Sequence, residues 1–313
     1  MKVLITGVAG FVGRHLVREL RASGHEVCGI CLPGEDAGDV PVVQGNASEE
    51  AVLGRALDVF VPDSLVHLAG VAAIPRSWQQ PVETFDINLM SLVRLGELVR
   101  ARPHGLKVLV ISSAHVLGSA VPAIAADEDT PPNPGSPYAV SKCAAEWIAR
   151  AFARQYGWPW IVARPANHVG PGQSRDFVLS SLAHQLAAIA LGLSRGPVRV
   201  GNLDSWRDFT DARDIVRGYR LLLERGRPGA IYHLASEQLY RIADLWEQLC
   251  DIAGEHPPVQ VDPALWRPAE PPVRLSATRI RHELGWRPEI PIQATLRDIY
   301  ADAYDRLRRN AGA

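Results

Sequence analysis

The sequence predicts an α/β protein: a doubly wound parallel sheet with a smaller mixed α/β domain attached. Three observations carry that expectation. Apolar, β-rich runs alternate with segments of helical periodicity through the first half, the pattern of successive βαβ units. A glycine-rich turn follows the first run directly and opens the first helix. From Pro165 onward the alternation breaks into glycine- and proline-rich stretches among helices. A chain of 313 residues suits two domains or one large one.

The elements follow in order. Lys2–Thr6 is a short apolar strand, and Gly7 to Gly13 form the turn. Phe11, Leu16, Val17 and Leu20 then recur at helical spacing. Glu26–Cys31 and residues 40–44 are β-rich. Residues 64–69 and 107–112 are two more apolar strands, separated by a helix over about 82–100. Residues 161–164 make another strand, and 167–173 read as loop. Helices are expected at 177–193 and 211–224, a short strand at Val198–Val200, and a late strand of the main sheet at 230–235. We expect a cofactor domain of residues 1–165 plus 206–237 and a substrate domain of 166–205 plus 238–313.

Composition narrows the function. Hydrophobic residues make up 47% and charged residues 21%, enough for a sizeable core. The 33 Lys and Arg nearly balance the 34 Asp and Glu, which argues against a nucleic-acid partner, since phosphate backbones need a basic surface. No apolar window approaches the roughly 20 residues of a spanning helix, and the short apolar run Val3–Ile5 leads us to expect no signal peptide. No membrane partner and a cytoplasmic location are expected. Four cysteines form no disulfide framework. Cys28 and Cys31 match C-x-x-C, but residues three apart on a strand point to opposite faces. No histidine or cysteine set has metal-ligand spacing, and no metal site is expected.

Gly7, Gly10 and Gly13, within Thr6-Gly7-Val8-Ala9-Gly10-Phe11-Val12-Gly13, let the backbone turn tightly and approach a pyrophosphate at the helix N-terminus. This segment, including Phe11 and Val12, is the candidate dinucleotide site. The end of the second strand carries neither Asp nor Arg, so the choice between NAD and NADP stays open. Asn46 either hydrogen-bonds the adenine or is a turn residue. Tyr138 and Lys142, in Tyr138-Ala139-Val140-Ser141-Lys142, share one helix face at i and i+4, behind a Ser136 cap and Pro137. A neighbouring ammonium favours phenolate, making Tyr138 a candidate acid/base. Ser112 and Ser113 end a strand at the sheet edge where a Rossmann site sits.

Together these segments resemble the extended short-chain dehydrogenase/reductases, in the nucleotide-sugar epimerase/dehydratase/reductase group. Val66–Gly70, Asn88, Ile111–Gly118, Ala163–Gln173, Arg207–Asp214 and Arg267–Pro272 continue the likeness in family order. Asn167 to Gln173 and Gly201 to Asp214 most resemble the branch of GDP-4-keto-6-deoxy-mannose reductases and GDP-mannose 4,6-dehydratases. The resemblance implies a Rossmann-type domain. It implies Ser113 orienting the reacting sugar oxygen, Tyr138 as acid/base, and Lys142 on the nicotinamide ribose. It adds Ala69 to the cofactor set. It places Asn167, Arg207, Arg267 and Glu270 on the nucleotide-sugar, the arginines gripping phosphate and Glu270 the nucleotide ribose.

One departure bears on reaction type. The dehydratases resembled here carry an acid at the second position after the serine, and this chain has Ala114 and His115 after Ser113. His115 is either an acid/base or a pocket or core histidine. The expected activity is NAD(P)H-dependent reduction of the C4 ketone of a nucleotide-diphosphate 4-keto-6-deoxyhexose, GDP-linked, with NADPH the expected donor. The alternative is an NAD-dependent 4-epimerase or 4,6-dehydratase. A non-catalytic cofactor-binding sensor would be expected to lack Tyr138 or Lys142. The resemblance also implies a homodimer through a four-helix bundle. Leu89, Leu92, Val93 and Leu95 suit either that interface or simple core packing.

Overall fold

Alternation along β1 (Lys2–Thr6) sorts its side chains onto two faces, Val3 and Ile5 on one and Leu4 on the other, and both faces are covered. Two-sided burial is what a parallel sheet requires. The chain continues through β2 (Glu26–Cys31), β3 (Val42–Gln44), β4 (Ser64–His67), β5 (Lys107–Ile111) and β6 (Trp160–Pro165). Then come β7 (Asn167–Val169), β8 (Val198–Val200), β9 (Trp206–Asp211), β10 (Ile231–Leu234), β11 (Leu239–Arg241) and β12 (Val259–Val261). This computed structural model describes residues 1–102, 105–118, 125–268 and 271–311.

Seven strands form one sheet in the order β10-β6-β5-β4-β1-β2-β3, every neighbouring pair parallel. The order reverses between β1 and β4, so a crevice opens beyond their carboxyl ends. One face is covered by α1 (Phe11–Ala22), through Leu16 and Leu20. The other is covered by α2 (Glu50–Phe60), through Leu53 and Ala56. After β4 come the short α3 (Ile74–Gln79) and α4 (Pro81–Phe85), then α5 (Ser91–Arg100). Leu92 and Leu95 of α5 and Ala145 and Ala149 of α6 (Pro137–Tyr156) complete that second face. Cys28 and Cys31 fall into the two different core layers, so their sulfurs diverge as the strand geometry predicts.

The remaining helices are α7 (Val178–Ala190), α8 (Ala212–Arg225), α9 (Ile242–Ala253), α10 (Thr278–Leu284) and α11 (Ile292–Ala311). Ile215, Tyr219 and Leu222 of α8 pack beside α1. A separate core gathers α7, α9 and α11 around Val198, Val200 and Phe209. A three-stranded sheet, β11-β9-β7, lies between that core and the crevice.

Several elements differ from the sequence reading, among them β11 and β12, which were not expected. Residues 167–173 are not all loop, because Asn167–Val169 pairs in parallel with β9. β9 itself was not expected, and it pairs with β7 and β11 rather than in the large sheet. The helix over 82–100 is interrupted by one π turn at Asp86–Met90, a widened turn of a kind that recurs at functional sites.

The glycine turn is held by Ile30, whose carbonyl accepts from Gly7 N at 2.9 Å and Val8 N at 3.2 Å. Gly7 has φ +70°, which only glycine adopts readily. At Gly13 a Cβ would lie 2.5 Å from both Gly7 O and Val8 O, so any side chain would push α1 off the turn. Gly13→Ala is therefore expected to cost about 1–3 kcal/mol of stability by overpacking and to weaken dinucleotide binding. Thermal unfolding and a cofactor titration check this. Wild-type values in both would contradict the close approach.

Candidate active site

The crevice is bounded by the glycine turn at one end and by a cleft of about 710 Å³ at the other. At the cofactor end, α1 begins at Gly10 with no side-chain cap and no acidic residue in its first turn. Its first N–H groups and the positive end of the helix dipole are therefore left without a side-chain partner, which suits a pyrophosphate. The tip of β2 is closed locally, with Leu32 N donating to Glu35 Oε2 at 2.9 Å. Asn46 Oδ1 accepts from Ser48 N at 3.0 Å, the turn role that its sequence allowed.

Ala69 is pinned through a buried chain of hydrogen bonds. Its N–H donates to Thr6 Oγ1 at 3.0 Å. Thr6 Oγ1 lies 3.1 Å from His67 Nδ1, and His67 Nε2 lies 2.8 Å from Ser91 Oγ. Ser91 Oγ in turn donates to Ile87 O. Since the serine proton is committed to Ile87, His67 carries its proton on Nε2 and accepts from Thr6 at Nδ1. Burial holds His67 near pKa 3, so it is neutral. One residue beyond Ala69 and Gly70, Val71 N donates to Asn88 Oδ1 at 2.8 Å, while Asn88 Nδ2 donates to Val71 O and to Ser141 Oγ. The π turn thus clamps the loop after β4 onto the first turn of α6.

Ser136 and Pro137 start α6 as expected, with Ser136 Oγ accepting from Ala139 N. This start places Tyr138 against the end of β5. Ser113 and Tyr138 are both buried, and Ser113 stands close enough to the phenol to lower its pKa. Lys142 Nζ, one turn on, donates to Ile111 O at 2.9 Å. The sequence argument expected the ammonium to dominate the phenol's acidity. Instead burial raises the Tyr138 pKa above its ordinary value, opposed by the nearby Ser113. Burial likewise pushes Lys142 down to about 8. Desolvation disfavours charge on both groups.

His115 lines the cleft, and its ring meets Tyr138 edge-on with centroids 6.1 Å apart. Asn167, Arg207 and Arg267 line the same cleft. Asn167 Nδ2 donates to Asp208 O, Arg207 Nη1 to Trp206 O, and Arg267 Nη1 to Ala264 O and Trp266 O. Glu270 lies outside the described residues. The sequence reading missed Trp78 and Trp206, large aromatic surfaces that line the cleft and stay exposed. It also missed Asp208. Among the described residues Asp208 is the one carboxylate lining the cleft, and both its oxygens accept hydrogen bonds from Ser236 and Glu237. Burial raises its pKa to about 6.

Over residues 4–299 the chain matches the family described as GDP-mannose 4,6 dehydratase. The chain belongs to that family. Within it, the GDP-6-deoxy-D-mannose reductase of Pseudomonas aeruginosa is 38% identical over 311 residues, which cover 98% of each chain. A GDP-mannose 4,6-dehydratase of Vibrio cholerae is 28% identical, with 99% of this chain and 95% of that one covered. RMD from Pseudomonas aeruginosa, solved in complex with NADPH, has TM-score 0.85 at 36% identity, covering 97% and 99% of the two chains. The UDP-glucose 4-epimerase of Thermus thermophilus, solved with NAD, has TM-score 0.86 at 27% identity, with the same coverage.

The buried imidazole sets a pH test. His67 titrates near pH 3 when folded and near its ordinary 6.5 when unfolded. Between those values the unfolded chain binds the extra proton, so stability is lost as pH falls from 6.5 toward 3. His67→Gln should flatten the pH dependence of unfolding free energy in that window by up to about 1.4 kcal/mol per pH unit. Denaturation at a series of pH values measures the slope. An unchanged slope would mean that His67 is not held neutral.

Proposed function

We propose that this protein reduces the C4 ketone of a nucleotide-diphosphate 4-keto-6-deoxyhexose, with GDP-4-keto-6-deoxy-mannose as the substrate. One observation carries the reading. A buried Tyr138 stands beside Ser113, with Ala114 and His115 next in the chain, and the one described carboxylate lining the cleft, Asp208, already accepts from Ser236 and Glu237. Elimination of water needs an acid and a base in addition to the tyrosine, and reduction needs only a proton for the ketone oxygen. The activity of the 38%-identical GDP-6-deoxy-D-mannose reductase supports the same choice.

A nicotinamide cofactor, NAD(P)H, supplies the hydride when bound, and the uncapped α1 N-terminus behind the Gly7 turn fits its pyrophosphate. NADPH is the expected donor, in keeping with the complex solved for RMD. Asn46 and Ala69 belong to the same binding surface in this reading, with Gly7, Gly10, Phe11, Val12 and Gly13. Ser113 orients the sugar oxygen. Tyr138 gives it a proton, and a phenol held above its ordinary pKa keeps that proton until the oxygen becomes basic. Lys142 holds the ribose and supports the phenol. Asn167, Arg207, Arg267 and Glu270 hold the diphosphate and nucleotide ribose, while His115 shapes the pocket over Tyr138.

The division into a cofactor domain (1–165 plus 206–237) and a substrate domain (166–205 plus 238–313), and a cytoplasmic location, belong to this proposal. A homodimer does too. Leu89, Val93, Ala144, Trp147, Ile148 and Ala151 line an open groove along α5 and α6, which suits a four-helix interface with a second copy. Leu92 and Leu95 face inward, as core residues.

Purified protein with GDP-4-keto-6-deoxy-mannose and NADPH is expected to consume the cofactor and yield the C4 alcohol. Tyr138→Phe should lower kcat by ~10²–10⁴-fold, while His115→Ala should keep most of the activity. GDP-mannose with NAD or NADP should give no 4-keto product. A 4-keto product that is lost in His115→Ala would replace the reductase with a dehydratase.

A further inference from the structure

A buried ion pair lies two turns beyond the proposed acid. Tyr138, Lys142 and Glu146 fall at i, i+4 and i+8 on one face of α6, and all three are buried. Glu146 is held by a side-on fork: Arg164 Nε donates to Oε1 at 2.7 Å and Nη2 to Oε2 at 2.6 Å. Arg164 belongs to β6, and each member of the pair is only 2% exposed. Ser112 Oγ, at the end of β5, donates to Glu146 Oε1 at 2.5 Å.

The three helix residues therefore meet three consecutive residues of the neighbouring strand end. Ser113 stands beside Tyr138, Ser112 binds Glu146, and Ile111 binds Lys142. Arg164 fastens the same carboxylate to the next strand. An apolar pair of similar volume would serve stability at least as well, because burying two charges costs several kcal/mol that their attraction only partly returns. An ion pair adds direction. Two parallel N–H···O bonds fix the carboxylate in plane and position. Sliding α6 by one residue, ~1.5 Å with a 100° rotation, would disturb all three contacts at once. Misplacement of a reacting group by about 1 Å can cost ~10²-fold in rate.

We propose that Glu146 and Arg164, with Ser112, are positioning residues that set the register of α6 against β5 and thereby the placement of the Tyr138 phenol beside Ser113. The proposal rests on the reading of Tyr138 as the proton donor. The titratable groups beside Tyr138 are His115, from the turn after β5, and Tyr219, from α8.

The test compares the wild type with Glu146→Gln, Ser112→Ala and the double variant Glu146→Leu/Arg164→Met. The Tyr138 phenol is titrated by ultraviolet difference absorbance, with Tyr138→Phe subtracted as background, in protein free of substrate and cofactor. Kinetics with ketosugar and NADPH and thermal unfolding are measured alongside. The double variant is expected to unfold at or above the wild-type temperature, since the apolar pair relieves buried charge. Its kcat is nevertheless expected to fall about 10-fold or more with KM within about 2-fold. Its phenol midpoint should rise as the phenol moves away from Ser113. Ser112→Ala, which leaves the ion pair intact, should show the same changes in smaller measure, and it carries the test if the other variants do not fold. Wild-type kcat and phenol midpoint in a folded variant would overturn the proposal and leave the pair a stability element. Full activity in Tyr138→Phe would instead overturn the reading of Tyr138, and the phenol titration would still report on register.

Discussion

Everything at the reacting end of the cleft depends on how α6 lies against the carboxyl end of β5. The sheet supplies a fixed edge, since β5 is paired on both sides by β4 and β6. The helix supplies side chains at a four-residue spacing, and the strand end supplies acceptors and hydroxyls within their reach. Neither element could hold the tyrosine alone. A helix packed only by apolar contacts keeps its distance from a sheet but has weak preferences for sliding and rotation. Directional bonds at Lys142 and Glu146 remove that freedom.

The same contact sets the electrostatics. Tyr138 and Lys142 are both buried, and burial moves each toward its neutral form. A neutral phenol beside a serine is poised to release a proton only when a negative oxygen develops nearby, which is the demand of ketone reduction. The cleft itself is different: Arg267, Trp78 and Trp206 line it and are exposed, and Arg207 is half-buried.

Much of this was legible in the sequence because it is local. The glycine spacing, the cap at Ser136 and the Tyr138–Lys142 interval all act within a few residues, and the structure places Tyr138 beside Ser113. What stayed hidden depends on partners distant in the chain. Trp206–Asp211 reads as a charged segment, yet Asp208 is buried because Ser236 and Glu237 donate to it from the turn after β10. Glu146 reads as an ordinary acid on a helix, since its arginine stands on the next strand. Its spacing from Tyr138 and Lys142 was the available signal. Leu92 and Leu95 cannot be told from Leu89 and Val93 by type, and the π turn at Asp86–Met90 carries no local signature. The acidity of Tyr138 was misjudged for a related reason: an ammonium four residues away is visible in sequence, and burial is not.

The most direct test of the central claim follows a labelled hydride. Protein supplied with GDP-4-keto-6-deoxy-mannose and NADPH carrying deuterium in place of the transferable hydrogen is analysed by NMR of the sugar. The expected product has one deuterium, at C4, with one cofactor oxidised per sugar converted. A converted sugar without deuterium and without net cofactor oxidation would show hydride returned within the site, as in an epimerase or dehydratase, and would contradict the assignment of this cleft to ketone reduction.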